Sequence, residues 1–129
     1  MDLSIRSETF AADDQTWLGS AHGTSSARSI TLDVSTFTEA THYPDGFFVS
    51  GLPLGKITVG GKYAPYDDTA VDGTETLVGF LLSPIKAPAA ATTDVVGALL
   101  IHGIVVDANL PVAVDAAGKA DVDGRITFV

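Results

Sequence analysis

The sequence contains no cysteine. Disulfides and thiolate-bound metals are therefore excluded, and no thiol marks a redox compartment. Cations are scarce too: 7 lysines and arginines face 16 aspartates and glutamates, for a formal charge of −9. Arg6, Arg28, Lys56, Lys62, Lys86, Lys119 and Arg125 are scattered singly along the chain. Neutralised phosphates supply most nucleic-acid affinity, so a chain this acidic is expected to have no nucleic-acid partner. An anionic membrane surface is disfavoured for the same reason. No apolar run has the length of a membrane span. Val95 to Val106 is the longest, and Gly97, His102 and Gly103 interrupt it. The opening Met1-Asp2-Leu3-Ser4-Ile5-Arg6 has an acid at position 2 and no apolar run. That is not a secretory signal, and the expectation is a product that stays in the cytoplasm where it is made.

Constellations that carry chemistry are equally thin. Ser83-Pro84-Ile85-Lys86 has the Ser-x-x-Lys spacing of penicillin-recognising enzymes, but Ala87-Pro88 would stop the helix that such a pair requires. His22, His42 and His102 have no metal-ligand spacing. Asp121-Val122-Asp123-Gly124 opens like a calcium loop whose later ligands are missing, and Asp67, Asp68 and Asp72 read as a solvated turn. Gly19-Ser20-Ala21-His22-Gly23 does not place serine where a nucleophile elbow needs it. No catalytic residue, metal or cofactor is expected, and the chain does not read as an enzyme.

What the chain does have is strand patterning with frequent turns. At 129 residues it is one domain, or one domain with an appendage. Such a length buries about two-thirds of its unfolded surface. Ile30, Leu32 and Val34 alternate with Thr31, Asp33 and Ser35, the period of a half-buried strand. His42-Tyr43-Pro44-Asp45-Gly46 reads as a turn and Phe47-Phe48-Val49 as a short strand. Lys56 to Val59 and Lys62 to Tyr66 are separated only by Gly60-Gly61, which predicts a hairpin with a two-residue turn. Pro65 places the second strand at an edge or ends its pairing. Glu75 to Leu82 is the next strand. Val95 to Val106 holds one or two strands with bulges or bends at Gly97 and Gly103. Asp115 to Asp121 suits one or two helical turns, and the chain closes in a strand where Ile126 and Phe128 share a face. The predicted class is all-β, a small open barrel or sandwich with at most one short helix.

The order of these segments carries a resemblance. Gly51-Leu52-Pro53-Leu54-Gly55-Lys56-Ile57-Thr58-Val59 leads into Gly60-Gly61, then Lys62-Tyr63-Ala64-Pro65-Tyr66, an Asp72-Gly73-Thr74 turn, and Leu77-Val78-Gly79-Phe80-Leu81-Leu82. The chain ends in Arg125-Ile126-Thr127-Phe128-Val129. In order and turn chemistry this resembles the lambda-type head decoration, or capsid cement, proteins of tailed bacteriophages. The resemblance covers roughly the last 80 residues. It implies a β-tulip-like module that trimerises at local three-fold axes on the outside of an expanded head. Its partners would be the major capsid protein and two further copies of itself, and its place the outer surface of the virion.

Residues 1–45 read as an extended capsid-binding arm and residues 46–129 as the β-rich decoration domain. The first 28 residues are polar, with few large apolar groups, and cannot offset their ordering entropy alone. Chemistry, rather than the family pattern, assigns Phe10, Trp17 and Leu18 as apolar anchors for a partner. Arg6 and Arg28 would meet capsid carboxylates. Ile30, Leu32 and Val34 would suit addition of a strand to a capsid sheet. On this reading, removing residues 1 to 28 should leave a folded trimer that no longer binds heads. The alternative is a capsid-surface adhesin, with Tyr43, Tyr63 or Tyr66 as stacking platforms for host glycans.

Overall fold

The computed structural model describes residues 14–129. Among them are nine strands and two short α-helices, and with 16% of the chain helical the fold is mainly β. The strands are β1 (Arg28–Leu32), β2 (Phe47–Phe48), β3 (Pro53–Lys56), β4 (Tyr63–Pro65), β5 (Leu77–Leu81), β6 (Ile85–Lys86), β7 (Val95–Leu100), β8 (Gly103–Val105) and β9 (Ile126–Phe128). The helices are α1 (Glu39–His42) and α2 (Ala116–Asp121).

Five strands close a barrel in the order β1-β4-β3-β5-β7. The alternation read at Ile30 and Leu32 is the inward face of β1, which pairs antiparallel with β7 from Arg28↔Leu99 to Leu32↔Val95. Parallel pairing of Leu32 with Tyr63 closes the ring. Two small sheets flank it: β2 with β6, and β8 with β9 in parallel.

The interior divides into two packed groups. Ile30, Leu32, Phe37, Phe48, Leu54, Leu81 and Leu99 fill the barrel. Trp17, Leu77, Phe80, Leu100, Val105, Val122 and Ile126 fill the space under β8, β9 and α2. Successive strand residues point to opposite faces, so Phe80 and Leu81, and likewise Leu99 and Leu100, serve different groups. β5 and the Leu99-Leu100 end of β7 are thus the wall between two cores, which is why β5 reads as a continuous apolar run.

Several local expectations change. The hairpin exists, with Lys56 opposite Tyr63, but six residues rather than two separate the paired strands. Ile57 N–H donates to Lys62 O, and Gly61 N–H reaches back to Ile57 O. Both glycines have positive φ (92° and 73°), as a tight turn demands. Val59 stands at the tip, 87% exposed. Pro65 ends β4 rather than marking an edge strand, because β4 lies between β3 and β1. Gly97 is regularly paired with Ile30, not bulged. A side chain there would meet Ile85 Cδ1 at 2.6 Å. The break between β7 and β8 falls at Ile101-His102, just before Gly103. Helix α1 was not foreseen, whereas α2 was: Asp115 caps it, accepting the Gly118 N–H at 2.8 Å.

Candidate functional site

The stretch from Gln15 to Gly19 is tied to the body by hydrogen bonds to Leu82, to Asn109 and to the segment Ile104 to Val106. Gln15 Nε2 donates to Leu82 O, and Asn109 Nδ2 donates to Thr16 O. Val106 N–H donates to Trp17 O, Leu18 bridges Val105, and Gly19 N–H donates to Ile104 O. Trp17 itself is 1% exposed. Its indole N–H donates to Ser50 Oγ at 2.9 Å, and Ser50 Oγ donates onward to Leu82 O. The ring lies 5.8 Å from that of Phe80. Gly51 sits under the indole with φ 92°, where any side chain would come within 2.9 Å of the ring.

These contacts correct the arm expectation. Trp17, Ile30, Leu32 and Val34 are core residues of this chain, and Leu18 is half-buried in its bridge. None of the four buried side chains is available to a partner in this conformation. β1 is paired along its whole length with β7 on one side, and with β4 only at Leu32 on the other. β1, on the arm side of residue 45, is a stave of the same barrel as strands from residues 46–129. Arg6 and Phe10 lie outside the described residues. Of the expected contact residues that are described, Arg28 alone is exposed.

Arg28 does not stand alone. Three adjoining clefts share its side chain, the first lined also by Lys56 and Tyr63, the second by His102 and Arg125, the third by His22 and Ser26. Cations that are isolated in sequence are thus gathered on one face of an acidic molecule. Arg125 is held in place there by donating to Val78 O and Ile101 O at 3.1 and 3.0 Å. Two further cations are engaged in ion pairs, Lys62 with Asp94 and Lys119 with Asp107. The Asp94 carboxylate holds the Lys62 ammonium above its ordinary value.

A separate cleft of about 230 Å³ opens beside Asp14. Phe47, Val49, Pro84 and Pro111 form its apolar walls, and Asp14 and Asp45 carry its charge. Sequence reasoning missed it. Its walls come from several segments far apart in the sequence.

Two of the three tyrosines are occupied within the fold. Tyr43 packs on Phe48 with ring centroids 4.8 Å apart. The Tyr66 hydroxyl donates to Asp115 Oδ1 at 2.7 Å. Burial, then that carboxylate, push its ionisation well above the ordinary tyrosine range. Tyr63 is half-buried beside Arg28. Ser83 precedes β6 and Lys86 lies within it, so no helix brings the lysine under the serine. Among the described residues no group of three His, Asp or Glu side chains is placed to hold a metal. No described helix is long and apolar enough to cross a membrane.

A family model described as bacteriophage lambda head decoration protein D matches residues 13–124. The chain belongs to that family. The match takes in the barrel and the anchored Trp17, begins one residue before the first described one, and ends just before Arg125 and β9. Capsid decoration, as part of a phage head, is the role that the family gives this fold. No curated protein matches the chain. The leading twelve residues fall outside the match, so nothing about Arg6 or Phe10 is carried over from the family.

Proposed function

We propose that the chain decorates the exterior of the expanded phage head as a homotrimer at local three-fold axes, binding the major capsid protein and holding capsomers together against internal DNA pressure. The family match over residues 13–124 carries this reading. A site that exists only on the expanded shell stabilises that state by mass action. Three tethered contacts per trimer turn weak individual attachments into durable ones, because each raises the effective concentration of the next.

Two features of the chain support a division of labour. The five strands form a closed barrel, which suits a rigid body. The leading segment, residues 1–13, departs from a point fixed by the Gln15 and Asn109 hydrogen bonds. We assign capsid attachment to that segment, through Arg6 and Phe10, and to the cationic face around Arg28.

The test is decoration of expanded heads viewed by electron microscopy. The full chain should give knobs at three-fold positions and raise the temperature at which heads burst. A variant lacking residues 1–13 should remain folded and bind poorly. Deleting residues 1–28 is a poor test, because it removes Trp17 from the core. Normal decoration by the shorter chain would remove the leading segment from the proposal. Failure of the full chain to bind any expanded head would remove the capsid reading for its cognate shell.

A further inference from the structure

The barrel closes through a single residue pair. β1 meets β4 only at Leu32, opposite Tyr63, whereas β7 lines its other side from Arg28 to Leu32. The hairpin loop is the cause. β4 begins at Tyr63, and the chain before it turns back through Gly60-Gly61 toward Lys56. No β4 backbone therefore runs beside Arg28 to Thr31. That flank is a cleft, lined by Arg28, Ser29, Ile30 and Thr31 of β1 and faced by Lys56 and Tyr63 of the hairpin.

Two hydrogen bonds fix where the β1 backbone points. Leu82 N–H donates to Ala98 O, so Ala98 turns its carbonyl away from β1. Ala98 is the partner of Ser29, and in an antiparallel ladder such a pair exchanges no bonds. Ser29 thus directs its N–H and C=O away from β7, into the cleft. Asp33 N–H donates to Tyr63 O, which sets the same direction two and four residues earlier. Among the described residues none forms a ladder pair with Ser29 on that side. The charged groups lining the cleft are Arg28 and Lys56, both exposed, on a chain of formal charge −9. Val96, opposite Thr31 on β7, is 68% exposed.

We propose that the open flank of β1 takes up an extended, carboxylate-bearing segment of the major capsid protein as an added strand. This rests on the head-binding reading and names the feature of the shell that the cationic face engages. An unpaired strand edge is a template for a further strand. Main-chain bonds supply the affinity of such an addition, and flanking side chains its specificity. Here Ser29 offers the main-chain donor and acceptor, and Arg28 and Lys56 meet the carboxylates.

The test is a proline at the open edge. Ser29→Pro removes the outward N–H without touching a bond to β7, a placement that strands tolerate. It should keep the parent circular dichroism and bind expanded heads at least tenfold more weakly. Lys56→Glu should also weaken binding, and by less at high salt. Exchange of the Ser29 amide, read by quenched-exchange NMR of the full chain, should be fast in the free protein and at least tenfold slower on heads. Should Ser29→Pro fail to fold, that exchange decides. Parent-like decoration by a folded Ser29→Pro, or unchanged exchange on heads, would overturn the strand addition and leave head binding standing. A parent that binds no expanded head would overturn both. Slow exchange at Ser29 in the free protein would overturn the proposal as well, because this chain or a second copy would already fill the flank.

Discussion

Replacing Trp17 with alanine separates a Trp17 that belongs to the body from one that belongs to an arm. In the structure the indole is 1% exposed, packs on Phe80 and covers Gly51. Removing a fully buried aromatic of this size costs about 3–5 kcal/mol. Ser50 keeps its donor bond to Leu82 O but loses the indole donor to its lone pair, which puts the cost toward the upper end of that range. With a urea slope of about 1.5 kcal/mol/M, that cost moves the unfolding midpoint down by roughly 2–3 M. Trp17→Phe keeps most of the ring but leaves a Ser50 lone pair unpaired, for about 1–2 kcal/mol. Circular dichroism is the proper readout, since the fluorophore is lost. Equal protein concentrations are needed, because subunit association would enter the apparent stability. An alanine variant within about 0.5 kcal/mol of the parent, the range of ordinary surface changes, would refute the placement of Trp17 in the core and restore the arm extending past residue 17.

Three further outcomes follow from the packing. Gly79→Ala would place a side chain 2.2 Å from Leu100 O, where neither strand can give way. The cost should be about 1–3 kcal/mol or more in urea denaturation, and a neutral result would mean that β5 and β7 are spaced more widely. Asp115→Ala removes the cap of α2 and the acceptor of the Tyr66 hydroxyl together. Stability should drop by about 1–2 kcal/mol, and ultraviolet titration should show Tyr66 ionising at lower pH than in the parent; an unchanged titration would refute the contact. His42 is held below the ordinary histidine value by partial burial. Its Nδ1 accepts the Thr38 N–H at 2.8 Å, a role that the protonated ring cannot keep. Folding therefore favours the neutral ring. That contribution is present above about pH 6.5, the unfolded value, and is lost as pH falls from there toward the lower folded value. The melting temperature should decline from pH 7 to 5, and His42→Asn should flatten that decline; an unaltered pH profile in the variant would exclude His42 as its source.

Much of the body was legible because its signals are local. Alternation at Ile30 and Leu32, glycines at the hairpin turn, Asp115 before a helical turn and the Ile126/Phe128 pair each depend on neighbours a few residues apart. The arm was misread at Trp17 for a related reason. Residues 14–28 are polar and have no period, so by sequence alone they cannot repay their ordering. Their partners are Ser50, Phe80, Leu82, Ile104, Val105 and Asn109, all more than thirty residues away. Helix α1 escaped notice because it is a single turn between Thr38 and Tyr43.

By itself the sequence determined the β class, the order of strands and turns, the acidic balance and the kinship with head decoration proteins, since periodicity, turn chemistry and charge are properties of neighbouring residues. Tertiary structure alone decided that Trp17 is core, that β1 is a barrel stave, that single cations converge around Arg28, and that a cleft opens at Asp14. Each of these is made by residues far apart in the chain, brought together only when the two cores pack against the shared wall of β5 and the Leu99-Leu100 end of β7.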